Sequence, residues 1–267
     1  MAVYTGTLPS TGAVGNWITV LDATVAAHAN WSIFDAAAGT NRKVYKATAV
    51  AGGFDIYIDF NDNVNVAYAS LRACEGWDAN THAPIGNVTS VVYMGRGNDY
   101  TYKVIVQDDY FILLSYIPGS TTNGRSCFAG SIRSLDASKN MAMVVGGRST
   151  TYPTKNALGG ILDSASGYMF LLQDIDGSYN ASVNYWASGG GSASYYCKDY
   201  EDYYQIVEPP ITGVGTSSGG RCHGRAKNFM GTCSIVLSLS NGDLINIGGV
   251  NWVAVTDGQN TSLTKLE

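Results

Sequence analysis

Phe54-Asp55-Ile56-Tyr57-Ile58-Asp59-Phe60 alternates apolar and polar without a break. Side chains on a strand point to opposite sheet faces with period two. Phe54, Ile56, Ile58 and Phe60 therefore share one face, and Asp55, Tyr57 and Asp59 the other. This is a half-buried β-strand. Asn61-Asp62-Asn63 follows as a turn signal, so a hairpin to a strand over 66–74 is expected.

Outward from this stretch the same grammar repeats. Short runs rich in Val, Ile, Tyr and Phe predict strands at 42–48, 88–94, 100–106, 110–117, 127–133 and 141–145. Asp108-Asp109 joins two of them as a second hairpin, and Gly146-Gly147 ends the last. Further strands are expected at 167–173 and 179–186 around Asp174-Ile175-Asp176-Gly177. The chain closes with strands at 234–239, 243–247 and 250–255, separated by Asn241-Gly242 and Gly248-Gly249. One helix is predicted, from Trp17 to His28, with Asn16 as N-cap and Trp17, Leu21, Val25 and Ala26 near one face. Trp31-Ser32-Ile33-Phe34 then begins a strand. The expected fold class is all-β, mainly antiparallel sandwich or barrel-like sheets, with this one short N-terminal helix.

The expected organisation has three parts. Residues 1–14 read as an extended arm, residues 15–150 as a β domain carrying the helix, and residues 151–267 as a second β unit packed on the first. A long loop is expected around 187–230, with Pro209-Pro210 and the Gly-rich 213–220 inside it. The arm, with Thr5, Leu8, Pro9 and Thr11, suits contact with a neighbour, because its Gly, Pro, Ser and Thr do little for a local core. No period of 20 to 50 residues repeats, which argues against a propeller or solenoid.

The bulk numbers point to an assembly. Of 267 residues, 45% are hydrophobic and only 14% charged, against about 25% charged in ordinary soluble domains. A neutral Ser, Thr, Asn, Gly and Tyr surface is easily buried, because few ions need desolvation. The net charge of −5 and the lack of a basic run leave nucleic-acid binding without an electrostatic basis. No apolar run approaches the ~20 residues needed to span a bilayer. Met1-Ala2-Val3-Tyr4-Thr5 has neither the basic nor the apolar region of a Sec signal, so folding in a cytoplasm is expected.

Motifs for catalysis are missing. There is no G-x-S-x-G, P-loop or H-E-x-x-H. Asp55 and Asp59 lie roughly 13 Å apart along one strand, beyond the ~5–9.5 Å of glycosidase pairs. They read as a solvated or hydrogen-bonded strand face. Asp174-x-Asp176-Gly177 opens like a calcium loop, but the twelfth position is Tyr185, so a plain turn is expected. His28, His82 and His223 have no carboxylate next to them in sequence. No enzyme activity, cofactor or metal is expected.

Five cysteines, Cys74, Cys127, Cys197, Cys222 and Cys233, are scattered without a CxxC. An odd number precludes complete intrachain pairing. Buried thiols are the leading reading, and a disulfide formed after release from the cell is the alternative. Cys222-His223 lacks the second pair of ligands that a metal would need. The most unusual local feature is the tract holding Tyr195, Tyr196, Tyr200, Tyr203 and Tyr204. Tyr gives rigid amphipathic contact area, and Asp199, Glu201 and Asp202 keep the tract soluble. Together with the small basic island of Arg221 and Arg225 it forms a candidate contact loop for protein, or for a bacterial glycan.

A resemblance joins these observations. Gly6-Thr7-Leu8-Pro9-Ser10-Thr11-Gly12, a Trp-bearing helix, Trp31, the alternating strand, Gly76-Trp77-Asp78, Phe111-Ile112-Leu113-Leu114, Ala129-Gly130-Ser131-Ile132 and Val144-Val145-Gly146-Gly147 resemble a diffuse family of tailed-bacteriophage virion proteins. Gly249-Val250-Asn251-Trp252-Val253 is a fainter match, and residues 175–230 depart from the pattern. The resemblance implies a structural component of the tail, neck or collar, or baseplate. It would sit in the virion after folding in a host cytoplasm, as a homo-oligomer among other virion proteins. The competing expectation is a receptor-binding or decoration module that recognises bacterial surface glycans through Tyr and Trp loops.

Overall fold

The computed structural model describes residues 1–8, 16–48, 55–65, 68–88, 91–95, 100–122, 124–131, 133–134, 141–148, 239–256 and 260–266. Between 156 and 233 it describes the backbone of seven short strands. The fold is antiparallel β with one short helix, as the alternation predicts. In chain order the elements are β1 (Ala2–Thr7), α1 (Asn16–Thr24), β2 (Trp31–Gly39), β3 (Arg42–Ala47), β4 (Ile56–Asn65), β5 (Tyr68–Asp78), β6 (Ala83–Val88), β7 (Val92–Gly95), β8 (Thr101–Val106), β9 (Tyr110–Tyr116), β10 (Arg125–Ser131), β11 (Arg133–Ser134) and β12 (Met141–Arg148). They continue with β13 (Asn156–Ala157), β14 (Phe170–Gln173), β15 (Tyr179–Asn180), β16 (Val183–Tyr185), β17 (Pro210–Gly213), β18 (Arg221–Arg225), β19 (Phe229–Cys233), β20 (Leu244–Ile247), β21 (Val250–Thr256) and β22 (Asn260–Lys265).

One sheet runs β1-β8-β9-β10-β12-β14-β15 with β13 also on β12, and a second runs β2-β3-β4-β5-β6 with β7 also on β5. Two smaller sheets run β11-β18-β17-β16 and β19-β22-β21-β20. The main core lies between the first two. Tyr45, Ile56, Ile58, Phe60, Leu71 and Met94 of the second sheet meet Val104, Val106, Phe111, Leu113 and Cys127 of the first, all buried. Ile56, Ile58 and Phe60 are three of the four residues placed inward by the alternation, and Phe54 lies outside the described residues. Every residue of β9 is buried, so this central strand is covered on both faces.

Helix α1 closes one side of the core. Trp17, Ile18, Val20, Leu21 and Thr24 are buried, and the Trp17 ring packs on Tyr102 at 6.1 Å. The helix stops at Thr24, one turn short of the predicted His28. Its start is also capped differently. Asp62 Oδ2 accepts from the backbone N–H of Trp17 at 2.7 Å and of Ile18 at 3.3 Å. A carboxylate there satisfies orphan donors and meets the positive end of the helix dipole. Asp62 can reach it because β4 runs on through Asn61 to Asn65. The Asn61-Asp62-Asn63 turn is thus corrected: those residues are strand, and the chain reverses between Asn65 and Tyr68.

Other expectations shift for similar reasons. β12 continues through Gly146-Gly147 to Arg148. The eight-stranded sheet crosses the boundary drawn at residue 150, because β14 pairs β12. Inside the expected 187–230 loop, Pro210–Gly213 and Arg221–Arg225 form paired strands. Gly248-Gly249 makes the predicted hairpin turn between β20 and β21, with φ of +60° and +84°. Asn241-Gly242 forms the predicted turn before β20, with Gly242 at φ of +93°, but residues 234–238 of the strand expected before it lie outside the described residues, so no hairpin is described there.

Asn241, 1% exposed, ties the C-terminal sheet to the segment after β9. Its Oδ1 accepts from Thr256 N at 2.7 Å, and its Nδ2 donates to Thr122 O at 2.8 Å. Its backbone N–H donates to Ser120 O and its carbonyl accepts from Gly119 N. Gly124 lies against this knot: a Cβ there would sit 2.3 Å from Asn241 Oδ1 and 2.5 Å from Thr256 O. Only glycine permits that approach.

The residues expected to form a free arm are tied into the fold as far as Leu8. Ala2 to Thr7 pair in unbroken register with Val106 to Thr101. Leu8 is fully buried and its N–H donates to Tyr100 O at 2.8 Å. Thr5 is exposed and accepts from Lys103 Nζ at 3.1 Å. Pro9 and Thr11 lie outside the described residues.

Candidate functional site

The polar groups of the described chain concentrate on the face of the β2–β6 sheet that turns away from the main core. Register places Val44, Asp59 and Arg72 side by side across β3, β4 and β5. Arg42 lies two residues before Val44, and so on the same face. The sheet curls around a small cluster of Ala38, Val44, Cys74 and Trp77.

The curl is closed by a buried carboxylate. Asp35 is 4% exposed. Its Oδ2 accepts from Trp77 Nε1 and meets His82 Nδ1, both at 2.8 Å, and its Oδ1 accepts from Ala37 N at 2.9 Å. Burial pushes the Asp35 carboxyl up, but the bonds from His82, Trp77 and Ala37 outweigh it and hold it below the ordinary value of 3.8. An ionised carboxylate only accepts. Nδ1 of His82 therefore carries the hydrogen, and in the neutral ring Nε2 keeps the lone pair. His82 adopts φ of +52°, a left-handed conformation uncommon outside Gly, though His, like Asn and Asp, adopts it more readily than most. The side chain makes no other hydrogen bond among the described residues. The pair has the geometry of a base with its orienting carboxylate, but among the described residues no nucleophile is hydrogen-bonded to it.

A second carboxylate anchors the neighbouring cluster. Asp59, 4% exposed, accepts from Arg42 Nε at 2.8 Å on Oδ1 and from Arg42 Nη2 at 2.7 Å on Oδ2. Arg72 Nε adds a third bond, at 2.8 Å, to Oδ2. The hydrogen bonds that Arg42 donates to Asp59 raise its pKa above the ordinary value. The Arg42 guanidinium also lies over the Trp77 ring, 5.3 Å from its centre. An unbroken line of contacts thus runs His82–Asp35–Trp77–Arg42–Asp59–Arg72. A cleft of about 250 Å³ opens beside its far end.

At another edge of the sheet, Lys46 pairs with Asp55 at 2.6 Å and lies over the Phe34 and Tyr57 rings. Asp55 and Asp59 are thus each hydrogen-bonded or paired with cations, the reading the sequence favoured for this strand face. Cys74 and Cys127 are free buried thiols. Burial pushes the Cys74 thiol up to about 12 and raises Cys127 as well. Cys222 and Cys233 fall on β18 and β19, as do Arg221 and Arg225 on β18. Cys197 and the tyrosine tract at Tyr195, Tyr196, Tyr200, Tyr203 and Tyr204 lie outside the described residues.

Sequence reasoning missed Asp35, His82, Arg42 and Arg72 as a group. Their spacing in the chain carries no motif, and only the pairing of four strands brings them together. The one available signal was a charged residue repeating at outward positions of β3, β4 and β5. No trio of His, Cys, Asp or Glu able to hold a metal occurs among the described residues, and no described helix is long and apolar enough to cross a membrane.

The free strand edges differ in a second way that bears on function. On the second sheet, β2 carries two register shifts, and β6 carries Pro84 and a Gly86 with φ of +72°. Bulges and proline protect edges from foreign strands. On the first sheet β1 has six residues, no proline, no charge and no register shift. No described strand pairs with its outer edge. Val3, 40% exposed, alternates there with half-buried Tyr4. No family model and no curated protein matches the chain.

Proposed function

We propose that the chain is a structural subunit of a tailed-phage virion, in the tail, neck or collar, or baseplate, where it acts through protein–protein contacts in a symmetric homo-oligomer. The observation that carries this reading is the β1 edge. A six-residue, uncharged, regular edge strand offers a row of backbone donors and acceptors to another strand. The edges of the second sheet, β2 and β6, are guarded by register shifts and by Pro84. A long, regular edge of the main sheet left unguarded, while both edges of the sheet packed against it are protected, favours its being covered by another strand. Two copies of β1 pairing antiparallel would form a closed, two-fold contact. The low charge of the chain, 14%, supports the same reading, because burying its surface desolvates few ions.

The test is sedimentation of the purified chain beside a Val3→Lys variant. A lysine on an edge is a natural block to strand addition. The wild type should associate, and the variant should be monomeric with unchanged circular dichroism and melting. A wild type that stays monomeric at every concentration overturns the assembly reading. Antibody against the chain should also decorate tail, neck or baseplate of the particles made from the genome that encodes it, and undecorated particles overturn the virion reading.

A further inference from the structure

The geometry points to the cleft beside Asp59 as a binding site for a carboxylate on a small ligand about the size of one acidic sugar unit. Arg42, Asp59, Asn61, Ser70, Arg72 and Val91 line it, around about 250 Å³. Two guanidinium groups face one carboxylate there. Asp59 accepts from Arg42 Nε and Nη2 and from Arg72 Nε. Arg42 Nη1 and both terminal nitrogens of Arg72 have no acceptor among the described residues. The arginine side chains remain about a quarter exposed, at 24% and 25%. Asp35, the nearby acid on the same face, is engaged by His82, Trp77 and Ala37.

Two guanidinium groups thus share one carboxylate at the cleft, and their spare N–H donors suit an anionic acceptor. A planar carboxylate also matches the fork of a guanidinium, with two parallel hydrogen bonds. Asp59 fixes both arginines in place, so little side-chain freedom is lost when a ligand arrives. The Ser70 hydroxyl has no hydrogen-bond partner among the described residues and stands in the lining to meet a ligand hydroxyl. Val91, 41% exposed, gives an apolar wall for a sugar ring edge. This site is separate from the β1 edge, and the monomeric Val3→Lys variant would bind as well as the wild type.

The experiment is an NMR titration of the full chain with sodium glucuronate, with glucose, acetate and sodium chloride as matched arms. Glucuronate should shift the Arg72 Nε–H resonance and the backbone amides of Asn61 and Ser70. Acetate should shift the same signals at lower affinity, and glucose and chloride should not. Arg72→Gln keeps both Arg42 bonds to Asp59 and should weaken glucuronate binding about tenfold or more. Ser70→Ala leaves the ion cluster untouched and should weaken glucuronate while leaving acetate unchanged, which carries the test if Arg72→Gln does not fold. The proposal is overturned if glucuronate moves none of these signals, if glucose moves them equally, or if both variants bind like the wild type. Acetate binding as tightly as glucuronate overturns the sugar-sized ligand.

Discussion

Asp35 Oδ2 and His82 Nδ1 stand 2.8 Å apart, although Asp35 is on the edge strand β2 and His82 precedes β6 at the opposite end of the strand order. In a flat sheet β2 and β5 would be roughly 14 Å apart, at ~4.8 Å per strand. The contact therefore requires the sheet to roll up around Val44, Cys74 and Trp77. Asp35 acts as the latch of that roll. It also fixes the Trp77 indole, on which the Arg42 guanidinium rests. Replacing Asp35 with Ala leaves the buried Trp77 N–H without its acceptor and frees the hairpin tip. The expected loss is about 2–4 kcal/mol in urea unfolding. A loss within ~0.5 kcal/mol, the ordinary range for surface positions, would show that the roll does not depend on the latch.

The same carboxylate sets an acid limit. Its folded pKa lies below the ordinary value of 3.8, so the unfolded chain binds the proton more tightly. Asp35 therefore contributes stability that is fully present above about pH 5 and is lost as pH falls through the folded value. Urea midpoints measured from pH 6 down to pH 3 should fall more steeply for the wild type than for Asp35→Asn, which has no proton to take up there. Parallel curves would remove Asp35 from the acid response.

How much of this was legible beforehand follows from the range of the interactions. Ile56, Ile58 and Phe60 were placed in the core by alternation alone, because strand periodicity is a local property. The hairpin at Asp108-Asp109 and the turn at Gly248-Gly249 were local too. Asp62 was misread as a turn residue because its partner, the N-terminus of α1, lies more than forty residues earlier in the chain. Asn241 does sit in the turn read from the sequence, but the bond of its side chain to Thr122, 119 residues away, was not legible there. The Asp59 cluster was half visible. Alternation put Asp59 on the polar face, but nothing in the sequence named Arg42 and Arg72 as its partners, or showed that their pairing would bury it.

Leu8 makes the N-terminus a part of the fold. It is 0% exposed, in the same cluster as Trp17 and Phe111. Leu8→Ala should destabilise the chain by about 2–4 kcal/mol, the range for a large-to-small change in a packed core. Deleting residues 1–14 should be worse, since it removes β1 as well and bares β8. Thermal melts of the two variants check both. A truncated chain that melts like the wild type would return these residues to the role of a free arm.

The buried thiols give a chemical measure of the core. Cys74 is 1% exposed, Cys127 is 0% exposed, and both sit on the inner strands of the two main sheets. Only the thiolate attacks a disulfide reagent, and burial raises both pKa values. Neither thiol should react with an aromatic disulfide at pH 8 on the timescale of minutes, while both should react at once in strong denaturant. Peptide mapping after labelling identifies each site. Fast labelling of Cys127 in the native chain would mean that the face shared by β9 and β10 opens readily.

Asn241 holds the C-terminal sheet to the segment after β9, and its loss should be felt on both sides of that contact. Asn241→Ala deletes the bonds to Thr256 N and Thr122 O and leaves the buried Thr256 N–H without this acceptor, whereas Thr122 O keeps its bond from Ser120 Oγ. An unsatisfied buried group costs about 1–3 kcal/mol, so a loss of about 1–3 kcal/mol is expected. Asn241→Asp is the sharper test. Its oxygen can still accept from Thr256 N, but an acceptor would now face the Thr122 carbonyl. Asp should therefore be at least as damaging as Ala at pH 7, and should recover part of the loss when protonated near pH 4. Hydrogen exchange localises the effect: amides of β21 and of residues 119–124 should lose protection together, whereas loss in β21 alone would mean that the C-terminal sheet is held by its own packing.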